Sequence, residues 1–187
     1  MFYDKVSWDF MFECLRMRGF GPQWCSWMKQ VVVGGTVSVK SNDMLVTIFK
    51  GDLLSPILFN FVADCLAQMI INSQKSNLIC GLTEHLIPGG VCILQYANDT
   101  ILCLKNDKEK VRNLKILLYV YEMMFGLKIN FSKSEVILVN GGPDLEQEYT
   151  DLFNCQVGVF PIRYLGVPVS PSRLHSVDWI PLEEKNS

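Results

Sequence analysis

The chain predicts an α+β fold, on three observations. Helical and strand-like segments follow one another in the order α, α, ββ, α, ββ, α, ββ, α, ββ. The strands come as neighbouring pairs around short turn-forming stretches such as Asn42-Asp43 and Ala97-Asn98. The composition, 49% hydrophobic and 19% charged over 187 residues, can offset the entropy of ordering and excludes a disordered chain. The length suits one domain, read as residues 1–170, with a polar, loose tail over 171–187.

Each element has a local cause. Asp4 to Arg18 is predicted helical because Val6, Phe10 and Cys14, and then Met11 and Leu15, recur at spacings of four, and Gly19 and Gly21 stop it. A second helix starts at Pro22, a residue suited to the first helical position, and runs to about Val32 before Gly34-Gly35. Thr36 to Lys40 and Met44 to Phe49 form a hairpin about Asn42-Asp43. Ser55 and Pro56 then open a long helix reaching Gln74. Its Asn60, Asp64 and Gln68 share one face, with Phe59, Val62, Leu66 and Ile70 turned elsewhere, so it is an amphipathic core helix and not a membrane span.

Val91 to Gln95 and Thr100 to Leu104 are two apolar runs around Tyr96-Ala97-Asn98-Asp99. With Ala97-Asn98 as the turn, Tyr96 faces Asp99, Leu94 faces Ile101 and Cys92 faces Cys103. Both runs are apolar on both faces, as for strands sandwiched in a core. Asn106 with Glu109 makes a capping box for a helix whose stripe is Val111, Leu114, Leu118, Tyr121 and Phe125, ending at Gly126. Lys128 to Phe131 and Val136 to Val139 are short strands about Ser132-Lys133-Ser134. A helix over Leu145 to Phe153 and a last strand pair, Val157 to Phe160 with Tyr164 to Val169, complete the order.

Charge and cysteine usage narrow the function classes. The net charge of −2 and pI near 5.7 announce no surface for nucleic acid or anionic lipid. Seven cysteines, an odd number with no C-x-x-C pair, argue against a disulfide framework or structural zinc. Reduced thiols and an N-terminus without a signal peptide's apolar core point to a nuclear or cytoplasmic protein, not a secreted one. His85 and His175 stand in no nucleophile or metal motif, which leaves a hydrolase the weakest reading.

Tyr96-Ala97-Asn98-Asp99 is the most informative tetrapeptide. A carboxylate at a hairpin tip is held on rigid backbone while it projects to solvent, as a metal ligand must be; the plain alternative is an ordinary turn. Four further segments bear on that choice. Phe2-Tyr3-Asp4-Lys5-Val6-Ser7-Trp8 resembles A-[FY]-D-K-V-x-W, and Gly51-Asp52-Leu53-Leu54-Ser55-Pro56-Ile57-Leu58-Phe59-Asn60 resembles R-Q-G-D-P-L-S-P-x-L-F-N. Gly126-Leu127-Lys128-Ile129-Asn130-Phe131-Ser132-Lys133-Ser134 resembles G-L-x-I-N-x-x-K-S, and Tyr164-Leu165-Gly166 a later Y-L-G. In this order, with Tyr96 to Asp99 where the family has Y-A-D-D, they resemble the reverse transcriptase domain of a non-LTR (LINE-type) retrotransposon of the kind abundant in plants.

That resemblance implies a palm-like antiparallel sheet carrying the Tyr96–Asp99 hairpin, backed by the Ser55 and Asn106 helices. It implies RNA-directed DNA synthesis on an RNA template and DNA primer by two Mg²⁺ (or Mn²⁺) ions. Two dications about 4 Å apart need bridging carboxylates, because Mg²⁺ is a hard ion that wants anionic oxygen. Asp99 is the metal ligand carried over; Asn98 stands where the family has the first aspartate of the pair. The first-motif aspartate would fall before Met1, as would the fingers, so both are expected to be missing. Tyr3, which matches the aromatic under the sugar, is carried over as substrate-binding together with Gly51, Asp52, Tyr96 and Ala97, Gly51 at the template or nucleotide approach. Lys133 matches a lysine near the leaving pyrophosphate.

Departures accompany these matches. Phe49-Lys50 replaces Arg-Gln, Leu53 replaces a proline, and Met44 to Lys50 is shorter than its counterpart. Lys105, Lys108, Lys110, Arg112 and Lys115 could touch a phosphate backbone, but Asp107 and Glu109 interleave with them as on a solvated helix face. The expectation is a degenerate, catalytically dead site. The rival readings are a relic domain that binds nucleic acid or protein without catalysis and an interaction domain with no nucleic-acid role.

Overall fold

The computed structural model describes residues 6–30, 37–41, 44–48, 55–83, 90–97 and 99–183. They build an α+β arrangement of six helices and eight short strands among the described residues. The chain packs as two compact units, Met1–Ile129 and Asn130–Ser187.

In the first unit, α1 (Trp8–Met17) and α2 (Pro22–Lys29) pack together, with Met11, Phe12 and Leu15 of α1 and Cys25 and Met28 of α2 buried. Helix α1 starts four residues later than the apolar spacing suggested. Ser7 is its N-cap, and the Ser7 amide donates to the Phe125 carbonyl at 2.7 Å, a bond that holds the chain outside the helix. Strands β1 (Val37–Ser41) and β2 (Met44–Ile48) pair antiparallel, Val37 opposite Ile48 and Ser41 opposite Met44, so the expected hairpin forms around positions 42 and 43.

Helix α3 (Ser55–Lys75) and helix α4 (Lys108–Phe125) carry the core. Leu58, Val62 and Ile70 of α3 are fully buried, and Leu66 nearly so; their spacing of four returns them to one face. Opposite them α4 buries Val111, Leu114, Leu118, Tyr121 and Phe125, the stripe its sequence announces. Each such side chain contributes about 1.5–3 kcal/mol on leaving water. Gly126 ends α4 at φ 71°, a left-handed position where the missing Cβ removes the steric penalty.

The cap of α4 lies one residue later than Asn106. The Asp107 carboxylate accepts from the amides of Glu109 at 2.9 Å and Lys110 at 3.2 Å. It satisfies two amides without partners within the helix and sets negative charge at the positive end of the helix dipole. Asp107→Ala is therefore expected to lower the stability of the chain by about 0.5–2 kcal/mol, read as a shift in urea midpoint at unchanged slope.

Strands β3 (Ile93–Tyr96) and β4 (Asp99–Leu102) form an antiparallel hairpin. They are not sandwiched. On the face shared by Leu94, Tyr96, Ile101 and Asp99, Leu94 is 43% exposed and Tyr96 62%, whereas Ile93 and Gln95 on the other face are half-buried. Among the described residues β3 packs on α3, and the face carrying Leu94 and Tyr96 is left exposed.

Where the first unit ends and the second begins, the expected strand Lys128 to Phe131 is replaced by irregular chain and a 3-10 turn, Phe131–Lys133. Its amides are engaged elsewhere: the Ile129 amide donates to Glu122 Oε1 at 2.6 Å, and Lys133 N bonds the Asn130 carbonyl at 3.1 Å. The strand expected over Val136 to Val139 is β5 (Glu135–Val136), and it runs parallel to β6 (Gln156–Val157). Helix α5 (Pro143–Phe153) crosses between them, burying Tyr149, Thr150 and Phe153 and ending at Asn154 in the left-handed region. The last pair also shifts: β7 (Ile162–Tyr164) and β8 (Val167–Val169) join through Leu165 and Gly166, both at positive φ, as a two-residue hairpin turn requires. Within the stretch expected to be a loose tail, α6 (Ser176–Glu183) packs against β8. Among the described residues the strands stay in four separate pairs, where one antiparallel palm sheet was expected.

No helix among the described residues is long and apolar enough to cross a membrane.

Candidate active site

The hairpin tip is built from its base upward. The Lys105 amide donates to the Cys80 carbonyl at 3.0 Å and the Cys103 amide to the Cys92 carbonyl at 2.8 Å. Leu82 and Val91 exchange both backbone bonds, at 3.0 and 2.8 Å. Gln74 of α3 reaches the Gly90 carbonyl through its side-chain nitrogen at 3.3 Å, tying the helix to the strand's approach. Four register pairs follow, Ile93 with Leu102, Leu94 with Ile101, Gln95 with Thr100, and Tyr96 with Asp99.

Gly81 sits where this ladder begins. A Cβ there would lie 2.8 Å from Cys92 Sγ and 2.9 Å from the Val91 backbone carbonyl carbon and oxygen. Backbone cannot move aside as a flexible side chain can, so the absence of a Cβ is what lets the two strands close. Gly81→Ala is expected to destabilise the chain by about 1–3 kcal/mol and to loosen hydrogen-exchange protection at Leu82 and Val91 first.

At the tip, Ala97 has φ 49°, in the left-handed region that a two-residue turn demands and that L-residues rarely adopt. The register Tyr96 opposite Asp99 is the one the sequence predicts, and it puts both side chains on the same, exposed face. Asp99 thus presents its carboxylate to solvent on rigid backbone. Asn98, Tyr3, Gly51 and Asp52 lie outside the described residues. Lys133 closes the 3-10 turn of the second unit and is exposed. The structure therefore brings together Tyr96, Ala97 and Asp99 of the residues singled out from sequence.

The described part of the hairpin tip offers a metal ion a single carboxylate, Asp99. Among the described residues no group of three or more His, Cys, Asp or Glu side chains could hold a metal ion. Asp99 contributes one carboxylate, and its sequence neighbour Asn98 contributes a neutral amide. One carboxylate cannot both bridge and neutralise two dications.

Sequence reasoning missed an ionic and thiol cluster in the first unit. Arg18, the C-cap residue of α1, pairs with Asp64 of α3. Beside it burial, followed by the neighbouring Cys65, pushes the Cys14 thiol up to about 11. Burial likewise pushes the Tyr121 phenol and the Cys103 thiol above their ordinary values. No local pattern signals these contacts, because their partners are far apart in the chain.

A model of the family described as reverse transcriptase (RNA-dependent DNA polymerase) matches residues 1–169 of the chain. With a match over most of its length, the chain belongs to the reverse transcriptase family.

Proposed function

We propose that this chain is a reverse transcriptase domain of the non-LTR (LINE-type) retrotransposon class, of plant type, whose RNA-directed DNA polymerase chemistry has been lost. Its ancestral reaction is phosphoryl transfer to a DNA primer on an RNA template, assisted by two divalent metals such as Mg²⁺. The observation that carries the reading is the hairpin tip: one exposed carboxylate, Asp99, beside the amide of Asn98. In this reading Asp99 is the remaining metal-facing residue, Tyr96 and Ala97 shape the tip, and Lys133 is the proton donor or countercharge at the leaving group. Tyr3, Gly51 and Asp52 are the sugar- and template-facing positions. The polymerase-derived part ends near residue 170, and the protein acts in the nucleus or cytoplasm.

Support for the LINE-type assignment comes from the ordered segments at Gly51–Asn60, Tyr96–Asp99, Gly126–Ser134 and Tyr164–Gly166. With that chemistry lost, the role that remains is binding, to nucleic acid or to a protein. The test is primer extension on an RNA template with Mg²⁺ and with Mn²⁺, where no templated incorporation is expected.

A further inference from the structure

We propose that the outward face of α4 is a self-association surface, on which a second copy of this chain lays its own α4 antiparallel about a two-fold axis. The inner face of the helix, from Val111 to Phe125, packs in the core. On the other side stand Ile116, Tyr119, Val120 and Met123, which are 61%, 58%, 39% and 67% exposed. Their spacing of three, four and seven is that of a coiled-coil seam. Between Ile116 and Phe125 the one charged residue is Glu122, so this half of α4 is apolar on nearly every side, as in a helix covered all round. The turn after α3 leaves the stripe open. Asn113 donates through its side-chain nitrogen to the Leu78 carbonyl at 2.9 Å, and Lys110 to the Asn77 carbonyl, which holds that turn on one flank.

Charge decides what fits. Lys115 and Glu122 lie seven residues apart, about two helical turns, on the flank of the stripe away from that turn. An antiparallel copy centred between Tyr119 and Val120 sets Ile116 of each chain against Met123 of the other. It also brings like flanks together, so Lys115 of each chain meets Glu122 of the other, twice by symmetry. Glu122 has an acceptor for this: its Oε1 takes the Ile129 amide at 2.6 Å, and Oε2 is the second oxygen. A parallel copy would bring that flank against the side of Asn113, Leu117 and Met124, which carries no charge, and would form neither pair. The antiparallel order likewise directs Arg112 at the carbonyl end of the facing helix, where positive charge is favourable.

The seam is short. The 18 residues of α4 span ~27 Å. Two such helices meet over less than roughly 1,200 Å², the class of weak, transient interfaces, and the expected Kd is about 1–100 μM. The association is reversible, and its symmetry closes it at two chains. A carboxylate at position 123 would lose its water against Ile116 of the other chain with no partner to compensate it.

Sedimentation velocity of the full chain, from about 1 to about 300 μM, tests this. A 21.3 kDa monomer is expected at the low end and a dimer at the high end, with nothing larger. Met123→Glu, at an exposed position, should leave the circular dichroism unchanged and weaken the dimer by about tenfold or more. Orientation is read from carbodiimide cross-linking of a mixture of unlabelled and isotope-labelled chains, mapped by mass spectrometry. A link from Lys115 to Glu122 between the two isotopes is expected, with Lys29 and Asp9, 3.6 Å apart within one chain, as the internal control. A chain that stays monomeric throughout would overturn the proposal, as would a dimer untouched by Met123→Glu. So would a mixed-isotope link elsewhere in place of Lys115 to Glu122 while the control link forms.

Discussion

Phe125→Ala is expected to destabilise the first unit by about 3–5 kcal/mol, the cost of emptying a buried aromatic site that its neighbours cannot refill. Phe125 is 1% exposed at the last position of α4. Its ring meets Phe10 edge-on at 4.9 Å and 82°, and Tyr121 at 5.0 Å and 44°. Such aromatic pairs add ~0.5–1.5 kcal/mol beyond the area they bury. The side chain also touches the cleft between α1 and α3, so its loss unseats three helices together. The backbone carbonyl that receives the Ser7 amide is unchanged by the substitution, which isolates the packing contribution. Urea unfolding followed by far-UV circular dichroism gives the value; a loss below about 1 kcal/mol would mean that this ring is not the keystone its burial implies.

What could be read from sequence divides along the range of the interactions. The stripe of Val111, Leu114, Leu118, Tyr121 and Phe125 is legible because helical periodicity alone decides which face is buried. The Tyr96–Asp99 register is legible because a two-residue turn fixes the pairing of everything after it. Asn106 and Asp107 are both good caps and adjacent. The choice fell to Asp107, whose amide bonds the Lys105 carbonyl at 2.8 Å and bends the chain into the helix. The strand expected at Lys128 to Phe131 failed because a side chain, Glu122, took the Ile129 amide. The parallel pairing of β5 with β6 across α5 has no signature in either two-residue segment. Nor does the Arg18–Asp64 pair, which meets only after α1 and α3 have docked.

The candidate site divides the same way. The tip residues Tyr96, Ala97 and Asp99 are local and were found together. Gly81 was not, although it governs the strand approach that supports them; a glycine's value there depends on the Val91 backbone, which lies ten residues on.

The second large effect is catalytic. In the proposed reading Asn98 stands in place of a bridging carboxylate, and an amide there removes a negative charge from between two dications and leaves a far weaker ligand. Templated incorporation by the unmodified chain is therefore expected at the untemplated background.

Primer extension on an RNA template tests the central claim most directly, run with Mg²⁺ and then Mn²⁺ on the unmodified chain and on Asn98→Asp. The account predicts no template-dependent product from the unmodified chain with either metal, whatever the variant regains. Templated product from the unmodified chain would contradict it, and would mean that a carboxylate other than Asp99 completes the site.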